Sequence, residues 1–119
     1  MRRALSVLLL ALLAVTGCAS GPSEIDSQHA FVRRSGSTAD TLRVGRADTL
    51  RARVDAQLLT GRLAWALRDP DGRVAWTGAT GEADTVAAFV MAAPARGDWR
   101  LVLTPDSAVG VVDVHAAAR

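Results

Sequence analysis

Between Leu50 and Leu58 the chain changes character at every step: Leu50, Ala52, Val54, Ala56 and Leu58 alternate with Arg51, Arg53, Asp55 and Gln57. Only an extended backbone sends successive side chains to opposite sides, so this stretch reads as a strand with one apolar and one wet face. The same period of two returns in Leu63, Trp65 and Leu67, after a break at Thr60-Gly61. Asp69-Pro70-Asp71-Gly72 then supplies a turn: Pro presets the first corner, Asp tolerates the second and Gly provides a positive φ. It leads into a return segment, Arg73 to Gly78. Phe31–Arg34, Thr41–Arg46, Thr85–Ala92, Trp99–Thr104 and Val109–His115 bring the count to about eight short strands. Their spacing is that of an all-β protein, a small antiparallel β-sandwich of jelly-roll type. Residues 85–93 carry a second possibility, because Val86, Phe89, Val90 and Ala93 also fit one face of a short helix; flanking Gly and Pro favour a strand.

The N-terminus has a different logic. Arg2 and Arg3 precede an apolar run, Ala4 to Val15, of about a dozen residues interrupted only by Ser6. A helix needs roughly 20 residues to cross a bilayer, so a cleaved secretion signal fits better than a membrane span. The run ends in Val15-Thr16-Gly17-Cys18, which resembles the lipobox of bacterial lipoproteins. That resemblance implies cleavage before Cys18 and a lipid anchor on it, with residues 1–17 as signal peptide. Ala19 stands where an Asp would resemble an inner-membrane retention signal, so the expected location is the cell envelope, in the outer membrane facing the periplasm. Residues 18–29 then read as lipidated Cys and tether, and 30–119 as the folded domain.

Removing residues 1–17 takes two of the 14 Lys+Arg and none of the 12 Asp+Glu, which leaves the side chains of the mature chain formally neutral. A nucleic-acid partner loses its support, since phosphate neutralisation needs a basic excess. With Cys18 the sole cysteine, no disulfide is available and the fold rests on packing. The remaining hundred or so residues suffice for one domain. Oligomeric state is left open.

The stretch from Gly61 to Val114, with its Asp-Pro-Asp-Gly turn, its Pro-Ala-Arg-Gly-Asp-Trp-Arg-Leu segment and its closing Gly-Val-Val-Asp-Val, is similar to the small sandwiches of bacterial prepeptidase C-terminal domains and Golgi-dynamics domains. The resemblance implies a non-catalytic module that makes protein or glycan contacts. It covers about half of the mature chain, and no acidic calcium site transfers with it.

Catalytic patterns are missing from the sequence. Its two histidines are His29, placed at the edge of the tether, and His115 near the end, with no Gly-x-Ser-x-Gly elbow. Two His and scattered carboxylates do not form a zinc set, and Asp69-x-Asp71-Gly72 lacks the remaining ligands of a calcium loop. The expectation is a chain without enzymatic activity, cofactor or metal.

The contact candidates are Trp76 and three arginines, Arg43, Arg51 and Arg53, which could share a polar face toward lipid headgroups or anionic glycans. Trp65 and Trp99 follow their strands' apolar alternation and belong to the core. If Pro70, Asp71 and Gly72 form a three-residue loop with a Gly bulge, Asp69 pairs with Arg73, Trp65 faces Thr77, and Trp76 falls on the opposite face from Trp65. The functional expectation is a lipid-anchored module, attached to the membrane, that binds or scaffolds another envelope protein; the alternative is a module that holds an envelope glycan or lipid headgroup. A Trp- or Arg-lined concave face would favour the second, and an apolar edge strand the first.

Overall fold

The computed structural model describes residues 23–119, and its regular structure is entirely β. The expected signal peptide, residues 1–17, and the expected lipidation site Cys18 lie outside the described residues. Six strands follow in order: β1 Glu24–Arg34, β2 Thr38–Val44, β3 Thr49–Arg68, β4 Val74–Thr80, β5 Asp84–Ala92 and β6 Gly97–Ala118. They form one antiparallel sheet centred on β3 and β6, which are 20 and 22 residues long.

Each central strand has two partners on its outer side. Along β6, residues 97–103 pair with β2 and residues 108–117 pair with β1. Along β3, residues 49–57 pair with β5 and residues 63–68 pair with β4. The sheet is therefore a ribbon four strands wide, folded over so that its inner faces meet. One leaf holds β1, the end of β6, the start of β3 and β5; the other holds β2, the start of β6, the end of β3 and β4. The eight short segments read from sequence are the eight strand segments of these two leaves, with β3 and β6 each counted twice.

The core follows from the alternation. Leu50, Ala52, Val54, Ala56 and Leu58 of β3 and Val112, Val114 and Ala116 of β6 are buried on one leaf. Leu63, Trp65 and Leu67 of β3, Trp99, Leu101 and Leu103 of β6, and Leu42 and Val44 of β2 are buried on the other. All belong to one hydrophobic cluster. The inward residues of β3 change from even to odd numbers, so the fold needs an odd number of residues absorbed at the bend. The register shifts at Leu58–Thr60 and Thr60–Arg62 do this. Two glycines permit the strands to cross there: a β-carbon on Gly61 would meet the backbone of Ser107 in β6, and one on Gly110 would meet the backbone of Gln57 in β3. Thr60-Gly61, expected to close a strand, instead bends a continuous one.

Two boundaries differ from expectation. Strand β1 starts at Glu24, inside the segment assigned to the tether, and β2 starts at Thr38. Their inward positions include Ser27, His29, Thr38 and Asp40, polar residues that hide the apolar period. Residues 85–93 contribute strand β5 and no helix.

Candidate functional site

The turn after β3 forms as its residues dictate. Gly72 N donates to Asp69 O and Asp69 N to Arg73 O, both at 2.9 Å; the Asp69 carboxylate accepts from the Asp71 and Arg73 amides, also at 2.9 Å. The hairpin starts in the expected register, with Arg68 opposite Val74. One residue later it slips: Leu67 pairs with Trp76 and Trp65 with Gly78. A bulge between them adds a residue to β4 and carries Trp76 to the other face.

The expectation that Trp76 stands away from Trp65 is therefore corrected. Its ring centroid lies 5.8 Å from that of Trp65, tilted by 57°, and 5.6 Å from that of Phe89 on β5, nearly parallel at 16°. The slip has a steric reason. Trp65 needs a glycine across from it, because a β-carbon at 78 would overlap its ring. Trp76 then bridges the two leaves at the β4/β5 side, and a large indole gains more there than one ladder bond is worth. The Trp65 Nε1–H remains buried without a partner among the described residues. Trp99 is satisfied, donating to Ala95 O at 2.8 Å.

The three candidate arginines do not share a face. Arg43 is on β2, where its Nε donates to Asp98 Oδ1 at 3.1 Å, and that carboxylate raises the guanidinium pKa above its ordinary value, through the hydrogen bond first and the charge second. Arg51 and Arg53 are on the outer face of the other leaf. There Arg53 lines a shallow groove of ≈ 210 Å³ with Asp26, Asp55, Asp113 and His115, and lies 3.6 Å from Asp55. Small-molecule sites begin at roughly 300 Å³, and this one mixes both signs of charge. A wider depression, ≈ 460 Å³, has Leu63, Ala64, Ala79 and Thr104 in its lining and no aromatic side chain on which a sugar ring could stack.

Polar residues meet on the opposite side of the sandwich, between β1 and β2. Ser27 Oγ donates to Asp40 Oδ2 at 3.0 Å, and His29 Nε2 lies 2.9 Å from the same oxygen. A carboxylate can only accept, so that ring nitrogen carries the proton. His29 and Asp40 are about four-fifths buried, which corrects the placement of His29 in a tether. The cluster does not have the geometry of a catalytic triad, where the histidine stands between serine and carboxylate. Here both donors use the carboxylate, and they clasp β1 to β2. Among the described residues no group of three or more His, Cys, Asp or Glu is placed to hold a metal ion.

The most distinctive surface holds none of the contact residues expected from sequence: it is the edge of β5, free among the described residues. Edge strands are ordinarily blunted by charge, proline or bulges. Strand β1 has Glu24, Asp26, Arg33, Arg34 and a bulge, β2 has Asp40 and Arg43, and β4 is short and bulged. Strand β5 has none of these after Asp84: Thr85 to Ala92 is uncharged, without proline, and its ladder to β3 is unbroken over nine pairs. Its outward side chains are exposed and apolar, with Val86 58% and Val90 57% accessible beside Ala88 and Ala92.

Its backbone is directed as well. Ala93 N donates to Asp48 O at 2.8 Å, and Leu58 N to Ala83 O at 3.2 Å. Antiparallel pairs alternate between bonded and non-bonded positions. The odd-numbered residues from 83 to 93 therefore bond to β3, while Val86, Ala88 and Val90 turn N–H and C=O to the open side. The signal was present in the sequence as the uncharged run Thr85–Ala95, but its edge position depends on topology.

No protein-family model matches the chain, and no curated protein sequence matches it. Solved structures do. The pre-peptidase C-terminal domain of collagenase from Bacillus anthracis superimposes with a TM-score of 0.58 at 16% identity, over 78% of this chain and 88% of that one. PliG of Aeromonas hydrophila, described as a periplasmic lysozyme inhibitor of g-type lysozyme, gives 0.59 at 10% identity over 83% and 89%. A carbohydrate-binding module, CBM4, gives 0.50 at 6% identity over 79% and 71%. At such identities the likeness is one of fold, and it includes the prepeptidase-type module that the sequence resembles.

Proposed function

We propose that this chain is a non-enzymatic, lipid-anchored module of the bacterial cell envelope that holds an extended segment of a protein partner along the edge of β5. The observation that carries the reading is the unprotected edge itself. An incoming strand would find the N–H and C=O of Val86, Ala88 and Val90 free, and valine side chains on the outer face to pack against. This is strand addition, in which main-chain bonds give affinity and alternate side chains give specificity. A fold shared with a lysozyme inhibitor is compatible with a protein partner.

The glycan alternative has less support. All three tryptophans lie on inner faces, and Arg53 stands among carboxylates, which leaves Arg51 beside His115 and Arg119. Attachment rests on the Val-Thr-Gly-Cys18 motif, with the domain on the periplasmic side of the outer membrane. Only residues 19–23 separate Cys18 from β1, so the domain would sit within roughly 20 Å of its anchor. A photo-activated amino acid at position 88, in the full chain in its native membranes, tests the reading. A protein adduct from position 88 and none from position 39, on the outer face of the other leaf, is expected. Labelling of lipid or glycan alone from position 88 would contradict it.

A further inference from the structure

The β5 edge is complementary to itself. Its free backbone groups belong to even-numbered residues, and Ala88 is the middle of Asp84–Ala92. A two-fold axis at Ala88 would pair two copies of β5 antiparallel, with Ala88 opposite Ala88, Val86 opposite Val90 and Asp84 opposite Ala92. Each of these is a position at which both residues point N–H and C=O at the partner, so about ten main-chain bonds would form. A shift by one residue would face free groups with groups already bonded to β3.

The side chains fit the same register. On the outer face valine meets valine on either side of the central alanines. On the inner face Phe89 stands opposite Ala87 and Met91 opposite Thr85, large against small in each pair. The charges agree too. Glu82 and Asp84 precede or open the strand, Arg96 follows its other end, and none of the three is ion-paired among the described residues. Antiparallel pairing brings the acidic end of one copy to the basic end of the other, whereas parallel pairing would bring like ends together.

We infer that the occupant of the β5 edge is a second copy of this chain, joined through Ala88 to form one sheet across an isologous dimer. The inference rests on the proposed role of β5 as a protein-binding edge and names its partner. Cysteine cross-linking in native membranes tests it on the full chain. Cα atoms of directly opposed, hydrogen-bonded residues are about 5.5 Å apart, within disulfide reach. On mild oxidation Ala88→Cys should give a linked dimer in most of the protein, while Val86→Cys should give little, its equivalent residue being four positions away. Val86→Cys combined with Val90→Cys should restore the dimer and guards against a folding defect peculiar to position 88. The unsubstituted chain, with Cys18 alone, should give none.

No dimer from either Ala88→Cys or the double variant would overturn the inference, as would equal yields from Ala88→Cys and Ala39→Cys, which would mean random collision. A photo-adduct from position 88 to a different protein, without the disulfide dimer, would overturn the second copy and leave the protein-binding edge intact. Absence of both would overturn both.

Discussion

Gly78 lies directly across the β3–β4 ladder from Trp65, and the indole fills the volume in which a β-carbon at position 78 would stand. This contact sets the hairpin's register and, through it, the face on which Trp76 lies. Gly78→Ala should therefore destabilise the domain by about 1–3 kcal/mol, as overpacking does. A second change, Trp65→Leu, should make the alanine cost much less than it does alone. Urea melts of the two single variants and the double variant give the coupling; simple additivity would mean that the ring and the glycine are independent.

Trp76 joins the leaves through Trp65 and Phe89, so its loss should be felt as packing. Trp65→Ala should cost roughly 3–5 kcal/mol as a full core truncation, and Trp76→Ala roughly 2 kcal/mol because the ring is only partly buried. Melts of both decide the order. A Trp76→Ala variant as stable as the parent would return Trp76 to the surface.

The fold over the sandwich requires backbone to pass close to backbone at Gly61 and Gly110. Gly110→Ala should destabilise by more than 2 kcal/mol, since its β-carbon meets the main chain of β3 and neither strand can yield without breaking ladder bonds. Gly45→Ala, with open space around it, should change stability by less than about 1 kcal/mol. Equal effects in thermal unfolding would remove the bend as the explanation for Gly110.

The clasp of Ser27 and His29 on Asp40 offers a local test. Asp40→Ala leaves two part-buried donors without their shared acceptor and should cost about 1–3 kcal/mol. The loss should concentrate in β1 and β2, read as faster amide exchange there than in β5. Uniform loss across the sheet would place the residue in the general core.

Where apolar residues alternated without interruption, the sequence was legible. Leu50–Leu58, Leu63–Leu67 and Trp99–Leu103 are buried as their period implies, and the Asp69–Gly72 turn has the expected bonds. Legibility failed for two physical reasons. Polar residues turned inward, as at Ser27, His29 and Asp40, conceal a strand from any hydrophobic pattern. A bulge such as that beside Ala75 reverses every side chain beyond it, and its cause, the fit of Gly78 to Trp65, joins residues on two different strands. The free edge of β5 was invisible for a related reason: its composition could be read, but strand order could not.

The proposed membrane attachment rests on Cys18 and can be tested apart from the fold. Cys18→Ser should abolish incorporation of a labelled fatty acid and release the protein from the membrane fraction. Equal label on the substituted chain would remove the lipobox assignment.

The claim that β5 is a protein-binding edge meets its most direct test in residue-resolved amide hydrogen exchange, comparing the chain in its native membranes with the purified, dilute chain. Occupation of the edge predicts that the Val86, Ala88 and Val90 amides, free in the isolated chain, become at least about tenfold slower in the membrane, while Ala87 and Phe89, already bonded to β3, change less. Unchanged rates at Val86, Ala88 and Val90, or new protection confined to another edge, would contradict it.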